Sequence, residues 1–295
     1  IITAVINLFY LSKFIKLDFK YRLLKEAFSY SLPIIPHALG GFLFMTSDII
    51  ILEKYVPTAL IGLYVLSNKF ARIFEHLLMA VNNALLPNYY RLSKLNSIDC
   101  ALTFKNIYKL FLFFKLYVGL SFIFLFEIIL NILVTSEFYG CKEFFYILIF
   151  AYIFRGLYFF CAYPLFFQKK TGIVCIATLI SGATNLFLNI LYVPTYGVIF
   201  AAYSTLVSNI LVAVITFTFT KILKYPINIS LFPIFLFIGI NYLVAFIFMN
   251  ADFAFIYKSL LFFVFISFVF ISSYYLNLWD IRRLFNQFVI NKLIC

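Results

Sequence analysis

"LSNKFARIFEHLLMAVNN", residues Leu66 to Asn83, carries Lys69, Arg72, Glu75, His76, Asn68, Asn82 and Asn83 in a chain that is 65% hydrophobic and only 12% charged. On a helical wheel at about 100° per residue these polar side chains, with Met79 among them, fall within an arc of roughly 140°. The remaining wheel is apolar (Phe70, Ala71, Ile73, Phe74, Leu77, Leu78, Ala80, Val81), with Ser67 the exception. The segment therefore reads as one helix with a continuous polar stripe. What that stripe does depends on the surroundings of the helix.

Those surroundings are a membrane. The 295 residues have a mean hydropathy of +1.06 and include 42 phenylalanines. A water-soluble domain carries about 25% charged residues, roughly twice the fraction here. Outer-membrane barrels alternate polar and apolar residues along each strand, and this chain does not. The composition predicts an all-α, polytopic helical membrane protein. Apolar runs of spanning length fall at about Ser31–Leu52, Gly62–Leu86, Ile107–Val134, Phe144–Phe166, Ile173–Tyr192, Val198–Phe219, Leu231–Phe248 and Phe255–Leu276. They make eight full spans. The apolar stretch "IITAVINLFYL", Ile1–Leu11, precedes them and reads as the tail of a helix whose beginning is missing, so the chain is expected to be a fragment.

The gaps between runs alternate in charge. Lys13, Lys16, Lys20, Arg22 and Lys25 crowd the first gap, while the second holds only Lys54. Arg91, Lys94 and Lys105 fill the third; the fourth has Lys142 beside Glu137 and Glu143. Lys169 and Lys170 follow, then the uncharged turn "VPTYG", then Lys221 and Lys224, then Lys258 with Asp252, and finally Arg282, Arg283 and Lys292 in the tail. The positive-inside rule places the basic-rich set in the cytoplasm, so the C-terminus is cytoplasmic and a net charge of +12 reflects orientation rather than nucleic-acid binding. The expected organisation is residues 1–12 as a truncated span, 13–30 as a basic cytoplasmic linker, 31–220 as six helices, 221–276 as two additional helices, and 277–295 as a cytoplasmic tail.

Charges inside spans mark function more often than not, because one near the bilayer centre costs on the order of 2.5–3.5 kcal/mol even on lenient scales. Lys69, Arg72, Lys115, Arg155, Asp48, Glu75 and Glu127 are in that position. Arg72, Glu75 and His76 fall near mid-depth. One reading makes Arg72 and Glu75, at i and i+3, a neutralised pair that holds helices together. The other has the whole stripe line a hydrated cavity; it also accounts for Lys69, His76, Asn68, Asn82 and Asn83, which one ion pair leaves unexplained. Arg155, in "YIFRGLYFF", is either a second cavity cation or a packing charge paired with Glu75 or a backbone carbonyl. Lys115 is expected to snorkel toward the cytoplasm. Asp48 and Glu127 are expected to reach water at the outer helix ends, and His37 to act as polar glue behind Pro33 and Pro36. The five cysteines have no paired spacing, and no metal-ligand pattern, phosphate loop or nucleophile–base pair is present, so no cofactor is expected. Cations at mid-depth suit an anionic passenger such as a phosphate or pyrophosphate. The chain is expected to transport rather than catalyse.

Two stretches resemble the bacterial polysaccharide-exporter flippases, which translocate O-antigen and capsule lipid-linked oligosaccharides. These share a superfamily with the lipid II flippase and the multidrug and toxin extrusion transporters. The first stretch is "YSLPIIPHALGGFLFMTSDIIILEKYVPTALIGLYVLSNKFARI", with its Leu32–Pro33, Asp48 and "IGLY" at Ile61–Tyr64. The second is "NLFLNILYVPTYGVIFAAYSTLVSNIL", with Asn185, Asn189, Pro194, Gly197, Ala201, Ala202, Thr205 and Ser208; "EFYGCKEFFYIL" matches more loosely. The resemblance implies two six-helix lobes around a central cavity, with residues 31–219 as helices seven to twelve. It implies a missing N-terminal lobe of the same protein as a partner, since one lobe does not enclose a cavity. It also implies a place in the bacterial inner membrane and an undecaprenyl-pyrophosphate-linked oligosaccharide as substrate, moved by alternating access. Arg72, with Lys69 and Arg155, would then hold the head group, and Glu75 and His76 would tune their charge. A polysaccharide polymerase or membrane glycosyltransferase of the same pathway needs a sizeable external loop, and every external gap is short. A multidrug exporter of the superfamily favours an acidic cavity, and this one is basic.

Overall fold

The computed structural model describes residues 20–95 and 98–223, with the isolated positions 239, 240, 243 and 267. Among these residues every regular element is helical: α1 (Tyr21–Ser31), α2 (Ile34–Tyr55), α3 (Thr58–Leu95), α4 (Ile98–Leu133), a 3₁₀ turn at Ser136–Cys141, α5 (Lys142–Phe167), α6 (Thr171–Tyr196) and α7 (Val198–Ile222). The six spans expected between Ser31 and Phe219 lie almost wholly within α2 to α7. Among the described residues five stretches qualify as membrane spans by length and apolar composition: Tyr21–Tyr55, Phe111–Leu133, Ser136–Phe167, Thr171–Tyr196 and Val198–Ile222. The helix α3, which contains the opening stretch, is not among them, because its polar stripe dilutes its hydropathy. The spans expected at 231–248 and 255–276, the partial one at 1–12 and the tail at 277–295 lie outside the described residues. The segment 13–30 is expected to be a linker; its second half is instead the helix α1.

Local chemistry sets the breaks. Val56 is extended (φ −128, ψ 142) because Pro57 excludes helical geometry from the residue before it. Gly197 has φ +68, the left-handed region that only glycine enters without a Cβ penalty, and it turns α6 directly into α7. Pro164 and Pro194 sit close to the ends of α5 and α6, where few backbone bonds remain to be lost.

The bundle is organised around α5. From Phe144 to Leu165 all residues but Arg155 and Phe159 are buried. A helix that is apolar on all sides belongs in the middle of its neighbours. It is packed by α3, α4 and α7, while α2 packs on α6 and α6 on α7. Aromatic rings fill the seams: Phe126 stacks on Phe145 with centroids 3.6 Å apart, and Tyr108 tilts against Phe160 at 4.1 Å. Glycine allows the closest approach. A Cβ on Gly119 of α4 would lie 3.0 Å from Ile153 Cδ1 on α5 and 3.2 Å from Phe74 Cζ on α3. Small residues are the usual means of such contact in membrane bundles, where dispersion rather than water exclusion drives packing. Gly119→Leu is therefore expected to destabilise the bundle by about 3 kcal/mol, and Gly119→Ala by about 1 kcal/mol because both facing atoms end flexible side chains. Thermal unfolding in detergent reads both, and a leucine as stable as the glycine would refute the close-packed seam.

Candidate functional site

The polar stripe of α3 divides into two rails with the same seven-residue spacing. Asn68, Glu75 and Asn82 form the buried rail, and α5 meets each of its members. The Tyr152 hydroxyl donates to Asn68 Oδ1 at 2.7 Å. Arg155 Nε lies 2.7 Å from Glu75 Oε1. The Tyr163 hydroxyl donates to the Asn82 carbonyl at 2.7 Å and also contacts Asn82 Oδ1. Lys69, His76 and Asn83 form the second rail, and no part of the described chain covers them. Seven residues rise about 10.5 Å along a helix. Each rail therefore covers about 21 Å of a hydrocarbon core roughly 30 Å thick.

Arg72 stands between the rails, half-buried. Its Nη2 donates to the Met45 carbonyl of α2 at 3.3 Å, and its Nε is buried with no hydrogen-bond partner. Glu75 is 1% exposed and pairs with Arg155 rather than with Arg72, one turn away on its own helix. The ion pair is close but not aligned as a hydrogen bond, and Glu75 Oε2 is also without a partner. Arg155 reaches a third helix, with Nη1 3.4 Å from Asn209 Oδ1 on α7, and its guanidinium lies over the rings of Phe44 (5.4 Å) and Phe159 (6.0 Å). Two guanidiniums and one carboxylate thus occupy one level, with a formal excess of one positive charge. Arg72, Glu75 and Arg155 are brought together, Asn68 and Asn82 flank them along the buried seam, and Lys69, His76 and Asn83 remain on the open face.

A second polar centre is built where an outward, water-reaching Asp48 was expected. Asp48 is 3% exposed and joins four helices. Its carboxylate accepts from Tyr64 Oη of α3 at 2.6 Å, Asn189 Nδ2 of α6 at 2.6 Å and Thr205 Oγ1 of α7 at 2.8 Å. Ser47 donates to Asn185 Oδ1 at 2.9 Å, and Ser204 to Asn189 Oδ1 at 2.6 Å. Asp48 is drawn inward because α2 packs its Ser47–Asp48 side onto the Asn185/Asn189 face of α6. Neutral oxygens and one carboxylate converge there. Among the described residues no three His, Cys, Asp or Glu side chains gather as a metal site.

Among the other polar residues of the spans, Lys115 differs from expectation in the same direction, while His37 acts as the polar glue expected of it. Lys115 does not snorkel: it is fully buried along Gly156, Nζ has no hydrogen-bond partner, and the ring of Phe111 lies 5.6 Å away. Gly156 leaves the groove that admits its stem, and only the packed pair of helices reveals this. Glu127 keeps partial exposure and is also met by Lys142 at 2.8 Å. His37 Nδ1 lies 2.8 Å from Thr178 Oγ1 and bridges α2 to α6. The tyrosines Tyr64, Tyr152 and Tyr163, which carry so much of this polar chemistry, stand out in the sequence only as apolar bulk.

With this geometry in place, comparison with known proteins adds two findings. Residues 1–143 match the model of a family described as polysaccharide biosynthesis protein. The fold matches that of a solved structure, "Lipid II flippase MurJ, inward closed conformation", at a TM-score of 0.64 and 18% identity, over 88% of this chain and 56% of that one. The resemblance to the polysaccharide exporters holds. The chain spans little more than half the length of MurJ, and at this identity the likeness concerns fold. No curated protein matches the sequence.

Asp48→Ala would take the acceptor from Tyr64 and Thr205 and from one N–H of Asn189, whose contact with Asn185 Oδ1 remains, so a loss on the order of 3 kcal/mol is expected, since each orphaned group costs about 1–3 kcal/mol. Equilibrium unfolding in mixed micelles measures it, and an unchanged midpoint would show that the network does not hold the helices. A Glu75→Gln, Arg155→Gln double-mutant cycle should give a coupling of about 1–3 kcal/mol; additive effects would mean that the pair is not energetically engaged.

Proposed function

We propose that this chain forms a lobe of a flippase that carries an undecaprenyl-pyrophosphate-linked oligosaccharide, an O-antigen or capsule repeat unit, across the bacterial inner membrane by alternating access. The observation that carries this reading is Arg72. Its guanidinium stands at mid-depth on the border of an uncovered polar rail, with a buried Nε that has no partner, while the nearest carboxylate is engaged by Arg155. A guanidinium in that condition favours a bidentate oxyanion such as a phosphate. Lys69, at i−3, is near enough to share a diphosphate with it. His76 and Asn83 offer hydrogen bonds further inward along the same face, suited to hydroxyl-rich sugars.

Arg155 acts in this reading as a positioning residue. By holding Glu75 it keeps the carboxylate from neutralising Arg72. The polysaccharide-biosynthesis family match and the flippase-like fold support the substrate class and the mode of movement. The flippase-like fold supports the reading of a transporter.

The test is head-group translocation by the full-length protein, including its other lobe, in proteoliposomes that hold a fluorescent polyprenyl-diphosphate saccharide. Arg72→Ala should reduce the rate at least tenfold, a barrier change of about 1.4 kcal/mol. Arg72→Lys should recover part of it, because the charge remains and the bidentate fork does not. Lys69→Ala should have a smaller effect in the same direction. Full activity in Arg72→Ala would sink the assignment.

A further inference from the structure

Two opposite charges on one turn of α3 are each left incomplete. Arg72 Nε and Glu75 Oε2 are both buried, and neither has a hydrogen-bond partner. At i and i+3 on one helix, their side chains are neighbours. A buried charged group with an unmatched atom is costly, and a contact between these two would satisfy both. They stand apart because Arg155 draws Glu75 toward α5, with Nε 2.7 Å from Oε1.

Arg155 holds the carboxylate loosely. Its Nε lies close to Oε1 without the alignment of a hydrogen bond. It also has other support: Nη1 is 3.4 Å from Asn209 Oδ1, and the rings of Phe44 and Phe159 lie 5.4 and 6.0 Å from the guanidinium. Losing Glu75 would therefore not strand it. The register of α3 on α5 survives such a loss, because Tyr152 still meets Asn68 and Tyr163 still meets Asn82. One carboxylate thus stands between two guanidiniums, with one oxygen vacant.

We propose that Glu75 is a tethered competitor for Arg72: Arg155 holds it aside while Arg72 carries the diphosphate, and it passes to Arg72 as the diphosphate leaves. This rests on the reading of Arg72 as the oxyanion site and adds how that site lets go. A guanidinium that grips an oxyanion by two bonds in a low-dielectric interior releases it slowly unless another anion takes its place. A carboxylate one turn away on the same helix is such a substitute, present at high effective concentration. The apparent affinity for diphosphate is then the intrinsic affinity multiplied by the fraction of time that Glu75 stays off Arg72. Arg155 raises that fraction through Glu75 and without touching the anion, which makes it a positioning residue.

The test is equilibrium binding of a water-soluble geranyl-diphosphate saccharide to the full-length protein in nanodiscs, paired with turnover in the translocation assay above. Glu75→Gln should bind about threefold tighter and yet turn over about threefold more slowly, since release loses its substitute. Arg155→Gln should bind about tenfold more weakly while Glu75 is present, and should change binding by less than about twofold in the Glu75→Gln background. If Arg155→Gln does not assemble, Arg155→Lys keeps the charge and should show a smaller loss with the same dependence on Glu75. An equal loss with and without Glu75 would mean that Arg155 meets the anion itself and would overturn the inference. Undiminished turnover in Glu75→Gln would overturn it too. Arg72→Ala separates the two levels: binding unchanged in that variant would refute the oxyanion site, whereas a clear loss there with no effect of Glu75→Gln would refute the competitor alone.

Discussion

The seam between α3 and α5 governs the rest of the bundle. In a membrane interior an isolated charge costs several kcal/mol, and a helix bearing Arg72, Glu75 and His76 does not rest against lipid on that side. It must find polar partners, and α5 supplies them at one level after another: Tyr152 for Asn68, Arg155 for Glu75, Tyr163 for Asn82. These contacts fix the register of the two helices more firmly than apolar packing would, because a shift of one residue leaves a carboxylate and an amide without partners. The orientation of α5 then sets which of its faces receives α4 and α7.

The Asp48 centre does for α2, α6 and α7 what the α3–α5 seam does for the inner helices, by a different balance. Three neutral donors stabilise its carboxylate, where Glu75 has a guanidinium. Hydrogen bonds to a charged group are stronger than neutral ones, and in a low-dielectric interior they polarise one another. The two centres share α3, through Tyr64 and through Asn68 and Glu75. A rotation of α3 about its axis therefore strains both at once. A helix held at two polar levels moves as a rigid body with its partners.

Much of this is legible in the sequence where a periodic pattern carries it. The stripe on α3, the helices α2 to α7 and the charge alternation follow from spacing and composition alone. Partner choice is not legible, because it depends on which helices become neighbours. Glu75 has a cation at i−3 on its own helix and pairs instead with one eighty residues away. Asp48 and Lys115 look close enough to an aqueous edge to escape burial, yet the packing of α6 over one and of Gly156 against the other buries both. Tyrosine is the systematic omission: counted as apolar bulk, it supplies the hydroxyls that satisfy Asn68, Asn82 and Asp48. The helix α1 is hidden for the opposite reason, since its basic residues point to a linker and mask the apolar half of its wheel.

The division of the α3 stripe into two rails bears on why so many polar residues are tolerated in one helix. If every member faced α5, the seam would need a partner for each, including cations in excess of the carboxylate available. If every member faced outward, nothing would hold the helix in the bundle. Asn68, Glu75 and Asn82 form the anchor, each met by a side chain of α5, and the structural duty of the stripe falls on them rather than on Lys69, His76 and Asn83. Arg72 belongs to neither rail: one nitrogen is tied to the Met45 carbonyl while Nε is buried and unmatched. In the transport reading proposed above, that half-satisfied state suits a ligand-binding side chain, because the guanidinium is held at one end and has a nitrogen left to give.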